Sequence, residues 1–114
     1  MSEFQKVCRV EELPEGEGKT VKVHGKLIAV FQHNGEFFAI DDMCPHMGAS
    51  LAGGNVENGT VTCPWHAWRF RLSDGVWADS PKSPGIGCYA TRVDEGELYV
   101  QVPPPPSHVP AEEN

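Results

Sequence analysis

The segment "CPHMGASLAGGNVENGTVTCPWH", residues 44–66, has the most informative spacing in the chain. It places two cysteines and two histidines in two pairs, Cys44-x-His46 and Cys63-x-x-His66, with sixteen residues between the pairs. A proline follows each cysteine and stiffens the short segment that leads to the histidine. Each pair can therefore present one thiolate and one imidazole from a single tight loop.

Three interpretations of these pairs are open on the residues alone. In the first, the four side chains are unrelated and only structural. In the second, they form a structural Cys₂His₂ zinc site, although such sites usually pair like with like, as C-x₂₋₄-C and H-x₃₋₅-H. In the third, two histidines replace two cysteines on one iron of a [2Fe–2S] cluster.

The rest of the chain has the pattern of short antiparallel strands joined by tight turns. The pairs Asn34-Gly35 and Asn58-Gly59, with Asp74-Gly75 and Glu95-Gly96, lie beside short apolar runs, and Asn-Gly in this position is a strong hairpin signal. This regular spacing predicts an all-β fold, an antiparallel β-sandwich or small barrel. The predicted strands cover residues 20–24, 27–31, 36–40, 60–63, 68–72, 76–78, 89–93 and 98–102.

Length and charge exclude several classes of protein. The 114 residues suit one domain, and the net charge of −7 argues against nucleic acid, which needs clustered Lys and Arg. No apolar run approaches the roughly 18 residues of a membrane-spanning helix, and the N-terminus lacks a signal-peptide pattern. We therefore expect a soluble, cytoplasmic protein with no membrane partner. In that compartment, cysteines spaced with histidines bind metal more often than they form disulfides.

The pattern C-x-H-x₁₆-C-x₂-H resembles the cluster-binding motif of Rieske proteins, and the chain from Phe4 to Val102 is similar to a Rieske-type ferredoxin. The small subunit of NAD(P)H nitrite reductases is a close relative of that family. The resemblance implies a single Rieske domain over residues 1–102, with a cluster-binding subdomain of two loops at about 43–85. Residues 103–114 form a Pro-rich tail, which we expect to be disordered. The implied ligands of one [2Fe–2S] cluster are Cys44 and Cys63 on the buried iron, and His46 and His66 on the outer iron.

The same resemblance predicts a low reduction potential. Two imidazoles in place of two thiolates make the cluster less negative, and Rieske potentials span about −150 to +300 mV, against about −400 mV in plant-type ferredoxins. High-potential members have a disulfide over the cluster, where this chain has Ala49 and Trp65. They also have Ser and Tyr hydroxyls beside the cluster, where this chain has Trp68 and Phe70. All four departures favour the low-potential branch.

The expected function is electron transfer from a flavin-dependent reductase to a terminal oxygenase. An alternative is the small subunit of an assimilatory nitrite reductase, with that enzyme's large subunit as partner. A third possibility is a zinc-stabilised β module that only binds partners. The chain lacks a Gly-rich dinucleotide motif and room for a non-haem iron domain, so we expect no substrate turnover by this chain alone.

The remaining cysteines and histidines are predicted to have structural roles. Cys8 and Cys88 lie in strand-like runs and are predicted to be buried free thiols. His24 and His33 are predicted to lie at turns. Residues 81–87 match the third loop that closes over the cluster in the family. Trp68 either shields the cluster, contributes to a docking surface, or packs in the core.

Overall fold

A computed structural model of the chain describes residues 4–43, 50–64, 68–80, 82 and 85–102. Those residues contain nine strands and two short 3₁₀ helices, at Val10–Glu12 and Leu51–Gly53, and include no helix long and apolar enough to cross a membrane. The predicted tail, residues 103–114, lies outside the described part. The strands are β1 Phe4–Arg9, β2 Gly18–Val23, β3 Lys26–His33, β4 Glu36–Asp41, β5 Asn55–Glu57, β6 Thr60–Thr62, β7 Arg69–Arg71, β8 Cys88–Asp94 and β9 Glu97–Gln101.

The strands form two antiparallel sheets. Six of them form one sheet in the order β1-β9-β8-β4-β3-β2, and β1 also contacts β2, so this sheet is nearly closed into a barrel. The other three form a small sheet in the order β5-β6-β7. The prediction of an all-β antiparallel fold is confirmed. The sequence patterns did not separate the small sheet from the rest. Its strands β5 and β6 lie between the two predicted ligand pairs in the chain, and β7 follows the second pair.

Strands β3 and β4 are buried on both faces and form a central layer between two cores. Successive side chains of a strand point to opposite faces. In β3, Ile28 and Val30 belong to the core inside the barrel, whereas Ala29 and Phe31 pack with the small sheet. This two-sided burial explains why residues 28–31 form a continuous apolar run. It also fixes the small sheet against the barrel.

Most of the predicted turns are confirmed by backbone dihedral angles. Both residues have positive φ in the pairs His24-Gly25, Asn34-Gly35, Asn58-Gly59 and Glu95-Gly96, as two-residue type I′ turns require. His24 lies in such a turn, and His33 ends β3 beside one, as predicted.

The predicted hairpin at Asp74-Gly75 forms, but without the predicted two-residue turn. The amide of Arg71 donates to the carbonyl of Val76, and the amide of Ala78 donates to the carbonyl of Arg69, each at 2.8 Å. Gly75 has a φ of 75°, but Asp74 is not in the positive-φ region, and residues 76–78 form no strand beyond a single bridge between Trp77 and Phe70. The carbonyl of Gly75 instead accepts a hydrogen bond from the amide of Ile86 at 2.9 Å. A Cβ on Gly75 would collide with the Ile86 carbonyl, so this glycine permits close approach of two loops.

Candidate functional site

Cys63 is the predicted cluster ligand that the structure describes. It directly follows β6, is 2% exposed, and packs in the core beneath the small sheet with Val61 and Phe70. Burial of this sulfur suits a thiolate bound to an iron that solvent does not reach. Cys44, His46 and His66 lie outside the described residues, and within the described ranges no three Cys, His, Asp or Glu side chains form a metal site.

The base of the second ligand loop is closed by the backbone. The amide of Cys63 donates a hydrogen bond to the carbonyl of Trp68 at 2.8 Å, and the next pair outward, Thr62 and Arg69, is in antiparallel register. The two ends of the segment that contains His66 are therefore held next to each other. This spacing allows Cys63 and His66 to belong to one site.

The base of the first ligand loop is closed by Asp42 and its neighbours. Met43 and Ser50 form an antiparallel bridge on either side of residues 44–49, and the amide of Leu51 donates to the carbonyl of Asp42 at 2.6 Å. The Asp42 carboxylate accepts a second set of hydrogen bonds, from the Ser50 hydroxyl at 2.8 Å and the Ala52 amide at 3.0 Å. Both ends of the segment that contains Cys44 and His46 are thus fixed.

The core brings the two ligand loops together. Leu51, which follows the first loop, is fully buried in the same apolar cluster as Cys63. Ala29 and Ile40 of the central layer also belong to this cluster. The segment between the two predicted ligand pairs therefore has Leu51 near its start and Cys63 at its end, both in the same apolar cluster.

Asp41 holds a third loop beside the first. Its amide donates to the carbonyl of Gly87 at 3.0 Å, and its carboxylate accepts from the Gly87 amide at 2.8 Å and from the Tyr89 hydroxyl at 2.6 Å. Burial, together with the Asp41 carboxylate, raises the pKa of Tyr89, so this hydroxyl stays a hydrogen-bond donor. Of the predicted third loop, residues 82 and 85–87 are described.

Two ion pairs fasten the segment that leads to this third loop. Arg69 donates to Asp79 at 2.5 Å, and Arg71 forms a close pair with Asp74, both on the exposed face of β7. Hydrogen bonds from these guanidinium groups lower the pKa of both aspartates. Because exposed pairs contribute little to stability, we interpret them as fixing the local path of the chain.

Aromatic rings line the apolar side of the site. The ring of Trp68 stacks on Trp77 with centroids 3.9 Å apart, and Phe70 lies 6.5 Å from Trp68 and is fully buried. Trp68 thus packs against the core, one of the three alternatives left open. The Trp77 Nε1–H is buried and has no acceptor among the described residues. Since such a group costs about 1–3 kcal/mol, the position suits an acceptor such as a cluster sulfur or a carbonyl of a ligand loop.

The two remaining cysteines differ from each other. Cys8 is buried in the barrel core, as predicted, and burial raises the pKa of its thiol. The prediction that Cys88 is buried is wrong, because it begins β8 on the outer face that it shares with Ala90. Its sulfur lies 3.2 Å from the carbonyl of Ser73.

The sequence analysis missed Asp41 and Asp42 as residues of the site. Both follow the apolar residues of β4, and only Met43 separates them from the first ligand pair. An Asp-Asp pair at the end of a buried strand, two residues before a predicted ligand, was the available signal. Their contacts reach up to 48 residues along the chain, which no local pattern specifies.

Comparison with known proteins finds a matching family and similar relatives. Residues 3–90 match the family described as the Rieske [2Fe-2S] domain. The chain is 41% identical over 97 residues, 84% of this chain and 91% of the relative, to the 3-phenylpropionate/cinnamic acid dioxygenase ferredoxin subunit of Photorhabdus laumondii.

Two solved structures are also similar. One is from a complex of reduced oxygenase and oxidised ferredoxin in carbazole 1,9a-dioxygenase, with a TM-score of 0.77, 32% identity, and coverage of 86% of this chain and 92% of that one. The other is a protein assigned as the NADH-dependent nitrite reductase small subunit of Mycobacterium tuberculosis. Its TM-score is 0.83 at 26% identity, with coverage of 90% of this chain and 96% of that one.

Proposed function

The chain belongs to the Rieske [2Fe–2S] family, and from that premise we propose that it is a low-potential ferredoxin that delivers electrons to a terminal oxygenase. A Rieske domain binds one [2Fe–2S] cluster, which supplies reversible one-electron transfer. The observation that carries the proposal is the similarity to a dioxygenase ferredoxin subunit over nearly the full length of both chains. We further propose that a flavin-dependent reductase supplies the electron and that the protein acts in the cytoplasm.

We assign the cluster ligands to Cys44, His46, Cys63 and His66. The buried position of Cys63 and the closed bases of both ligand loops support this assignment. The apolar wall of Phe70 and Trp68 keeps water from the Cys63 side, which favours the less charged, oxidised form and therefore a low potential. In this proposal residues 1–102 form one Rieske domain, and the chain alone turns over no substrate.

A second candidate function is the small subunit of a nitrite reductase. The observation in its favour is the high structural similarity to the protein from Mycobacterium tuberculosis. The relative with the higher sequence identity is an oxygenase ferredoxin, so we rank the nitrite reductase second. The zinc alternative is set aside, because membership of the Rieske family identifies the cofactor as an iron–sulfur cluster.

A stopped-flow experiment distinguishes the two candidates. The reduced protein is mixed anaerobically with the cluster-loaded terminal component of a 3-phenylpropionate-type dioxygenase, and separately with a siroheme nitrite reductase large subunit. We expect oxidation of this protein by the oxygenase component, followed in the visible spectrum, at a rate that rises with oxygenase concentration. Rapid oxidation by the nitrite reductase, with none by the oxygenase, would reverse our ranking.

A further inference from the structure

Asp42 is a buried acidic residue with an unusual set of contacts. It is 4% exposed and directly follows β4, two residues before Cys44. A buried carboxylate is costly unless hydrogen bonds compensate its lost hydration. The Asp42 carboxylate and carbonyl accept such bonds from residues 50–52, the segment that returns from the first ligand loop, and the Asp42 amide donates to the carbonyl of Leu27 at 3.2 Å.

The contacts of Asp42 use both its backbone and its side chain. Its carbonyl accepts from the Leu51 amide, while its carboxylate accepts from the Ser50 hydroxyl and the Ala52 amide. Three consecutive residues, 50–52, are thus hydrogen-bonded to Asp42. Leu51 is simultaneously packed in the core that contains Cys63. A displacement of the Asp42 clamp, by which we mean these three hydrogen bonds, would therefore shift the first ligand loop relative to Cys63.

Asp42 and Asp41 hold two different loops. Their side chains leave the chain in opposite directions, and Asp41 binds Gly87 and Tyr89 of the third loop and β8 instead. The division of contacts indicates that the end of β4 fixes the loops on its two sides separately.

We propose that Asp42 is a positioning residue for the iron–sulfur cluster. Asp42 holds the first ligand loop so that Cys44 and His46 stay in register with Cys63. This inference rests on the proposed ligand assignment. It does not depend on the identity of the redox partner. The acceptor oxygen, rather than the charge, is the functional group, because the contacts that the structure gives the side chain are hydrogen bonds from neutral donors.

The test compares variants of the full chain loaded with cluster. Asp42→Ala removes the acceptor, and Asp42→Asn keeps an acceptor oxygen at the same position while removing the charge. Ser50→Ala removes one donor. The matched control is Asp94→Ala, which also removes one carboxylate. Asp94 is exposed and ends β8, whereas the third loop joins the start of that strand. The readouts are the rate of cluster loss to an iron chelator, the EPR spectrum of the reduced cluster, and the thermal midpoint of each protein.

We expect Asp42→Ala to lose its cluster on the order of ten- to a hundredfold faster than the wild type, because the Ser50 hydroxyl and the Ala52 amide lose their acceptor in a partly buried position. Its EPR spectrum should also broaden or shift. Asp42→Asn should restore both properties to near the wild-type values, Ser50→Ala should lie between, and Asp94→Ala should match the wild type. If Asp42→Ala cannot be loaded at all, a loaded Asp42→Asn protein with a wild-type spectrum supports the proposal.

Three results would overturn the role of Asp42. The first is a lower thermal midpoint in Asp42→Ala with an unchanged EPR spectrum and release rate, which would make the residue structural only. The second is equally fast release in Asp94→Ala. The third is failure of Asp42→Asn to rescue Asp42→Ala. None of these measurements uses a partner protein, so a failure to reduce an oxygenase would count against the proposed function and leave the Asp42 result intact.

Discussion

Replacing Phe70 by tyrosine would add one hydroxyl to the buried side of the cluster site. Phe70 lies opposite Val61 in the register of β6 and β7, and Cys63 is two residues further along on the same face. Cross-strand diagonal neighbours of this kind are about 7–8 Å apart, within reach of an aromatic side chain. The register and the shared apolar cluster therefore place the new hydroxyl on the same side of the small sheet as Cys63.

The expected effect is a higher reduction potential. A hydroxyl that donates to a cluster or ligand sulfur stabilises the reduced state more than the oxidised state, because the reduced state is more negative. Hydrogen bonds to charged groups are worth about 1.5–3 kcal/mol. For one electron at about 59 mV per tenfold change, this corresponds to a rise on the order of 100 mV. The wild type, which lacks the hydroxyl, should lie near the low end of the Rieske range, about −150 mV.

The assay is potentiometric titration of both proteins, followed by visible circular dichroism. Phe38→Tyr is the control, because Phe38 is half-buried against the same core but lies on β4 rather than on the small sheet. Its potential should stay within a few tens of mV of the wild type, since Phe38 is not a cross-strand neighbour of Cys63 in the small sheet. A chemical denaturation curve of each protein measures the cost of the added hydroxyl.

Two results would refute this reasoning. If Phe70→Tyr keeps the wild-type potential and loses about 1–3 kcal/mol of stability, the hydroxyl is buried without a partner and does not reach sulfur. If the wild type itself has a potential near +300 mV, then the missing hydroxyls and disulfide do not set the potential in this protein. A rise in both Phe70→Tyr and Phe38→Tyr would indicate a general effect of core polarity.

Three further predictions follow from the charges and the ligand assignment. Cys63→Ser should lose the cluster, while Cys88→Ser should retain about two irons and two sulfides per chain, as measured by iron and sulfide analysis. The rate of electron transfer to the oxygenase should fall as ionic strength rises if the charge of −7 steers encounter, and a flat salt profile in stopped flow would contradict steering. Hydrogen bonds from the amides of Asn34 and Gly35 lower the pKa of Glu15. Glu15→Gln should therefore cost stability above the ordinary glutamate pKa, and that difference should vanish in thermal melts as the pH falls through the lower folded value.

The sequence was sufficient for most of the strands because their signals are local, although β5 was not predicted and residues 76–78 form only a bridge. Asn-Gly pairs need positive φ at both positions, and Asn34 and Asn58 adopt it. At Asp74-Gly75 the hairpin forms but the two-residue turn does not, because Gly75 also permits the close approach of the Ile86 carbonyl. Cys88 was misplaced for a related reason. A short strand-like run does not reveal which of its faces the rest of the sheet will cover.

The ligand motif was recognisable from the sequence, but the hydrogen bonds that hold the ligand loops were not. Paired Cys and His residues at fixed spacing are a local pattern, whereas the clamp at Asp42 and the contacts of Asp41 join distant segments. Two-sided burial of β3 likewise became visible only once the small sheet was placed against the central layer. Sequence alone gave residues 28–31 as an apolar run, without saying that Ile28 and Phe31 face different cores.

The arrangement of the loop anchors bears on how a carrier gains and loses one electron. The second ligand loop is closed by a backbone bond between Cys63 and Trp68, and the first by a bridge at Met43 and Ser50 together with Asp42. These bonds join neutral backbone groups or a fixed carboxylate, so their strength depends little on the charge of the cluster. Behind them, the central layer is close-packed on both faces and resists displacement. A site held in this way should change its charge with little change in its geometry, because the protein groups nearest the ligands are already fixed before the electron arrives.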